Sequence, residues 1–239
     1  MDILLVKLGA LGDVTNTLPL AITLNKGLGA NIHWLVEPLS LPLIQGHPAV
    51  YSAMLFDRNA WPRALTDVLS SLRGRRFDLA IDLQRTAKSA MFCLASRSNR
   101  KLGFDSSRCK ELTWLLPFER IAPSDAHRHM VYQYLDFARH LGLEPEDIRW
   151  DIPVKGDIPK CIPPEYVVLN LGATKPANRW TSDGFAALAA AIMTRYGIRS
   201  VLTGSREDLQ MAEKIEVLKP GVAVNMAGRT TIQELIEIL

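Results

Sequence analysis

The stretch Ile3-Leu4-Leu5-Val6-Lys7-Leu8-Gly9-Ala10-Leu11-Gly12-Asp13-Val14 decides the fold. Residues 3–6 are apolar without alternation, the pattern of a strand covered on both faces. The series Val14, Leu18, Ala21, Ile22 that follows has helical spacing. The stretch is therefore a strand, a glycine-bearing turn and the start of a helix. In open α/β sheets, binding and chemistry gather where this turn sits, at the carboxyl ends of strands. Gly9 and Gly12 permit a positive φ or a close backbone approach to a ligand. Asp13 falls near the helix N-terminus, whose partial positive charge favours an ionised carboxylate. From these residues alone, Asp13 is as much a helix cap as an acid or base offered to a cleft. Two phosphate loops are excluded. The spacing G-x-x-G-D is neither G-x-G-x-x-G nor G-x-x-x-x-G-K-[ST], and an aspartate at the helix start repels a phosphate docked there.

Outward from this turn, strand and helix patterns alternate, which predicts a parallel, doubly wound sheet. Strands are predicted over 31–36, 52–56, 79–83 and 101–104, and helices over 61–72, 86–95 and 130–141. A Pro- and Gly-interrupted segment covers 38–48. Five prolines between residues 143 and 164 mark a linker. The boundary is placed at residue 155, giving domains 1–155 and 156–239. The second series has strands over 166–169, 200–203 and 223–225, helices over 183–196 and 207–218, and a helix opening at Thr231. It is shorter than a complete domain and stops inside a helix pattern, so the second domain is expected to be incomplete.

The 239 residues, 48% of them hydrophobic, suffice for a buried core. Net charge is only +3, yet residues 73–110 carry ten cations against three aspartates. Such a stretch suits an anionic partner, a glycan, a phospholipid surface or nucleic acid, or is simply a solvated basic face. Cys93, Cys109 and Cys161 form no C-x-x-C pair, so neither a zinc site nor a disulfide framework is expected and a reducing compartment fits. Asp2 stands where a signal peptide has cations, and Lys7, Asp13 and Asn16 break the first apolar stretches; the protein is expected to be cytoplasmic. A nicotinamide dehydrogenase is disfavoured by the missing G-x-G-x-x-G, and nucleic-acid binding by the lack of interleaved aromatics and groove-reading motifs.

Five separated blocks carry a resemblance that spans the chain. Val6 to Pro19 reads V-K-x-G-x-x-G-D-V-x-x-T-L-P, and Asp78 to Ala90 reads D-x-x-I-D-x-Q-x-x-x-K-S-A. His129 precedes Val131 at the head of a long helix pattern. Asn178-Arg179-Trp180 is followed by Gly204-Ser205 at the end of the next strand. Asn225-Met226-Ala227-Gly228-Arg229-Thr230-Thr231 reads close to N-L-x-G-x-T-[ST]. In these blocks the chain resembles the bacterial ADP-heptose:lipopolysaccharide heptosyltransferases of glycosyltransferase family nine. The family's D-T-G-x-x-H segment, at the diphosphate-binding helix, has no counterpart before Leu239.

The resemblance implies two Rossmann-like α/β domains in the GT-B architecture, the first binding the acceptor and the second the nucleotide sugar. It implies inverting transfer of heptose from ADP-heptose to the lipopolysaccharide inner core. Asp13 is then the general base, and Gly9, Gly12, Arg85, Lys88 and His129 serve the acceptor, with Arg97 and Arg100 as weaker candidates. Thr174, Lys175, Asn178, Arg179, Asp208 and Thr230 serve the donor. Asn178 stands where the family has a lysine, so Lys175 or Arg179 would have to supply the charge that the departing diphosphate needs. No metal, cofactor or nucleic acid is expected, and the protein is expected to touch the inner membrane peripherally at its cytoplasmic face. Two alternatives stay open: a transferase using another nucleotide sugar, and an inactive, truncated binding remnant.

Overall fold

The computed structural model describes residues 1–145, 147–173 and 175–239, Pro176 by its backbone alone. Its first elements are β1 (Asp2–Val6), α1 (Leu11–Leu28), β2 (Asn31–Val36), α2 (Leu41–Ile44), β3 (Ser52–Leu55), α3 (Arg63–Arg73), β4 (Arg76–Asp82), α4 (Ala87–Ala95), β5 (Arg97–Gly103), β6 (Glu119–Arg120) and α5 (Met130–His140). The apolar run of β1 is explained by its neighbours. Ile3 faces Ile32 of β2 on one side and Leu79 of β4 on the other, in parallel register, so Ile3 to Val6 are fully buried.

The six strands lie in the order β3-β2-β1-β4-β5-β6, every pair parallel. The chain winds outward from β1 through β2 and β3, then crosses back to β4 and winds the other way. The reversal falls between β1 and β4, and in open parallel sheets the crevice outside the strand ends at such a reversal is where ligands bind. Leu4, Val6, Leu8, Leu35, Phe77 and Ala80 form a core with Val68 and Leu72 of α3 and Phe92 of α4. α1 packs along α5.

After α5 come β7 (Tyr166–Asn170), α6 (Ser182–Tyr196), β8 (Arg199–Thr203), α7 (Leu209–Leu218), β9 (Ala223–Asn225) and α8 (Ile232–Ile238). They form a parallel sheet in the order β7-β8-β9 with its own core, including Leu169, Phe185, Ala189, Leu202 and Ile215. The chain separates into two compact units, Met1–Pro153 and Val154–Leu239.

Several boundaries differ from the sequence pattern for local reasons. α3 begins at Arg63 because Pro62 is its cap residue, while Trp61 turns edge-on to Phe56 at 6.2 Å. β5 starts at Arg97, four residues early, because most of its first half is exposed and reads as polar loop. β6 has two residues, too few to show a period. The helix expected from 207 opens as a 3-10 turn, Arg206–Asp208, before α7.

Candidate active site

The turn after β1 places Asp13 in the first turn of α1. The cap position belongs to Ala10, which has no side chain to cap with, so Asp13 is not the cap. Its side chain is 42% exposed, and its Oδ2 accepts a hydrogen bond from Lys7 Nζ at 2.8 Å. Neither Gly9 nor Gly12 has a positive φ: α1 starts at Leu11 without a left-handed residue, and of the two freedoms these glycines offer the turn does not use the first. A Cβ on Gly9 would stand 3.4 Å from Oε2 of Glu37, an ordinary contact. A Cβ on Gly12 would meet nothing within 4 Å, so space lies open in front of this turn.

The turn after β4 is fixed from inside. Asp82 is buried, and its Oδ1 accepts from the backbone N–H of Gln84 at 3.0 Å and of Arg85 at 3.2 Å. Burial raises its pKa above the ordinary aspartate value, against the pull of these hydrogen bonds. The tight turn holds Arg85 at φ 66°, a conformation uncommon outside glycine and found at functional sites. Thr86 then caps α4, its Oγ1 accepting from Ser89 N–H, and Glu111 accepts from the backbone N–H of Ala87 at 2.9 Å. Lys88 is thereby displayed on the first turn of α4, its Nζ 5.5 Å from the Phe56 ring centre.

A cavity of about 390 Å³ joins these turns, lined by Asp13, Glu37, Arg58, Gln84, Thr86 and Lys88 among others. Arg58 donates to both carboxylate oxygens of Glu37, which fixes the wall beside Gly9. Two other hollows, of about 460 and 580 Å³, contain no residue of the β1 or β4 turns.

Of the residues expected at the acceptor, Asp13, Gly9 and Lys88 line this cavity together. Arg85 does not. Its guanidinium stacks 5.0 Å from the Phe104 ring centre, and its charge acts on Lys7 and Tyr134 instead. His129 caps α5, its Nδ1 accepting from Val131 N–H at 3.4 Å, and lies off the cavity. Arg97 opens β5, at the opposite end of the sheet from the turns, and Arg100 lies in the middle of that strand. Arg100 is paired with Glu119 at 2.8 Å, so the acceptor role considered for these two is withdrawn. The basic stretch is thus not one patch. β4 and β5 traverse the sheet, leaving Arg75, Arg76 and Arg97 at one end and Arg85 and Lys88 at the other, and Arg108 is buried between Asp105 and Asp136.

Lys7 is the site residue that the sequence reading passed over. It is 2% exposed, and burial pushes its ammonium below the ordinary lysine range against the pull of Asp13 and Asp82. A lysine inside an otherwise unbroken apolar run was the available signal, because such a charge is buried only with a partner.

In Val154–Leu239 the loops after β7, β8 and β9 lean on one another. Gly228 N–H donates to Gly204 O at 2.9 Å, and at φ 67° a Cβ on Gly228 would stand 2.9 Å from Arg206 Cα. Asp208 is 2% exposed, its Oδ2 accepting from both the backbone N–H and the Oγ of Ser205 at 2.8 Å. Arg179 donates Nε–H to Ala173 O at 2.9 Å and pairs with Asp208 at 3.4 Å. Lys175 and Asn178 are exposed at a 3-10 turn, Pro176–Asn178, and Lys175 makes no ion pair among the described residues. Thr230 is half-buried just before Thr231, which caps α8. Thr174 lies outside the described residues. Among the described residues no group of three His, Cys, Asp or Glu is placed to hold a metal ion, and no helix is long and apolar enough to cross a membrane.

The profile of Glycosyltransferase family 9 (heptosyltransferase) matches residues 65–239. The chain is 20% identical over 244 residues to lipopolysaccharide core heptosyltransferase OpsX of Haemophilus influenzae, covering 98% of this chain and 70% of that relative. Among solved structures, a glycosyl transferase family 9 protein from Veillonella parvula superposes with a TM-score of 0.81 at 17% identity, over 99% of this chain and 71% of that one. Escherichia coli heptosyltransferase WaaC with ADP gives 0.78 at 22% identity, over 100% of this chain and 78% of that one. At such identities the superpositions establish a shared α/β fold with parallel sheets.

Proposed function

We propose that this chain, which belongs to glycosyltransferase family 9, the heptosyltransferases, transfers heptose from ADP-heptose to an anionic lipopolysaccharide inner-core acceptor by inverting displacement, with Asp13 as general base. The observation that carries the proposal is the half-exposed Asp13 carboxylate, set beside a cavity at the reversal of a parallel sheet and not spent on capping its helix.

In the proposed reaction Asp13 takes the proton of an acceptor hydroxyl as that oxygen bonds to the anomeric carbon. The bond from that carbon to the diphosphate oxygen breaks on the opposite face, and its electron pair leaves with the diphosphate. The transition state is oxocarbenium-like, so the base acts late, and stabilising the leaving diphosphate is the heavier task. Within a GT-B arrangement, residues 1–155 are assigned to the acceptor, with Lys88 meeting its anionic groups. Residues 156–239 are assigned to the nucleotide sugar. Of the two cations that could replace the family lysine at Asn178, Lys175 is the better supplied, because Arg179 is already tied to Ala173 and Asp208. The proposal uses no metal and no cofactor. Its acceptor is part of a lipid, so the enzyme works in peripheral contact with the cytoplasmic face of the inner membrane.

The test is transfer to a heptose-free inner-core acceptor, with ADP-heptose offered beside other nucleotide sugars. Preferential use of ADP-heptose, lost in Asp13→Ala, supports the proposal. A specific observation favours a different donor: Asn178 cannot supply the charge of the family lysine. Preferential turnover of a uridine nucleotide sugar would establish that alternative and overturn the assignment of ADP-heptose.

A further inference from the structure

Lys7 is where the structure departs most from what a stable fold alone requires. It ends the apolar run of β1, and its backbone cannot shift: its N–H donates to Leu35 O at 3.2 Å, and its carbonyl accepts from Trp34 Nε1 at 3.1 Å. Its ammonium lies 5.5 Å from the ring centre of buried Tyr134 on α5 and donates to Asp13 on α1. An apolar side chain fits such a place at lower cost, because the desolvation of a buried ion pair commonly exceeds its attraction. Among the described residues, Lys7 alone hydrogen-bonds the Asp13 carboxylate, and it does so through Oδ2.

We propose that Lys7 is the positioning residue for Asp13: it clamps Oδ2 and turns Oδ1 toward the cavity as the oxygen that receives the acceptor proton. This rests on Asp13 being the base. The acceptor hydroxyl's proton goes to Oδ1, and Lys7 keeps its own proton throughout, so no co-reactant is needed. A free Asp13 on the helix surface would sample several rotamers; a clamped one is held near the productive geometry, where displacements of about 1 Å can cost roughly a hundredfold in rate.

The clamp works only while Lys7 carries its proton. The charged groups around it are Asp13 on α1, Asp82 at the end of β4 and Arg85 in the turn that follows, with the neutral phenol of Tyr134 on α5 beside them. Glu37, Arg58, Lys88 and Glu111 line the neighbouring cavity. Burial and the like charge of Arg85 act to release the proton, while the two aspartates hold it. Activity therefore falls on the alkaline side as Lys7 becomes neutral, earlier than an ordinary lysine would dictate. An arginine, which stays charged, should not show that fall.

The experiment compares wild type, Lys7→Met, Lys7→Arg and Asp13→Asn for heptosyl transfer across pH, with melting temperatures alongside. Lys7→Met is expected to lower kcat roughly ten- to a hundredfold, with both KM values within about threefold and the melting temperature unchanged or raised. Lys7→Arg is expected to lose the alkaline fall. A Lys7→Met enzyme with kcat within about twofold of wild type, or an alkaline fall unchanged in Lys7→Arg, overturns the proposal. The second comparison stands even if Lys7→Met folds poorly. Asp13→Asn separates the two levels. If it is inactive while Lys7→Met is active, only the role of Lys7 fails; if it is itself active, the base assignment fails.

Discussion

Asp13 and Asp208 each stand four residues after a glycine that follows a buried parallel strand, Gly9 after β1 and Gly204 after β8. Their surroundings give them opposite fates. Asp208 is sealed. Ser205 supplies two hydrogen bonds to one oxygen, Arg179 faces the other, and the missing side chain of Gly204 would stand 2.9 Å from Asp208 Cβ. Asp13 has a cap residue with nothing to offer, a glycine beside it that leaves open space, and one buried ammonium beneath it. Spacing from a glycine therefore does not distinguish a carboxylate left open to a cavity from one sealed into a cap. The partners that satisfy it do.

The largest effect expected from breaking this contrast is on turnover. Asp13→Ala should lower heptosyl transfer by about 10² to 10⁴-fold, the range of a lost general base, measured at matched concentrations of folded enzyme. Asp208→Ala should act first on stability. Loss of a buried carboxylate that satisfies Ser205 is expected to cost about 1–3 kcal/mol, read as hydrogen exchange in the β8–α7 region.

Asp13→Asn should also uncover Lys7. Burial already holds that ammonium below its ordinary 10.5, so the unfolded chain binds the extra proton in the window beneath 10.5. Stability therefore rises with pH there. Removing the Asp13 charge widens the window, and denaturant titrations should show a steeper gain in stability from neutral to alkaline pH than in wild type. Lys7→Met should abolish that slope, since the buried charge is gone and Asp13 keeps its access to water.

The smallest effect sharpens the contrast from the edge strand of the sheet, β6. Glu119 is held down to about 2 from 4.5, first by Arg100 and then by His140. Its contribution is present above 4.5 and lost as pH falls toward 2. At 38% exposure solvent screens the pair, and Glu119→Gln is expected to cost less than about 1 kcal/mol at neutral pH, with transfer activity unaffected.

The parallel sheet was legible in the sequence because a strand buried on both faces has an apolar run that no solvent-facing strand shares, as residues 3–6 and 79–81 illustrate. β5 was half hidden, since most of its early residues face solvent and look like loop. The location of Asp13 at a strand end was readable too, but not its partner. Lys7 lies only six residues away in an apolar run that signals a buried, partnered charge, but that its partner is Asp13 depends on tertiary packing against Trp34 and Tyr134. The cationic stretch misled for the converse reason: neighbours in sequence along β4 and β5 are carried to opposite ends of the sheet.

The most direct test of Asp13 as the base measures binding and chemistry on one preparation of Asp13→Asn: ADP-heptose affinity by titration, and a single-turnover rate with saturating acceptor. The account predicts a donor Kd within about threefold of wild type and a rate at least about a hundredfold lower. A single-turnover rate within about threefold of wild type would contradict it.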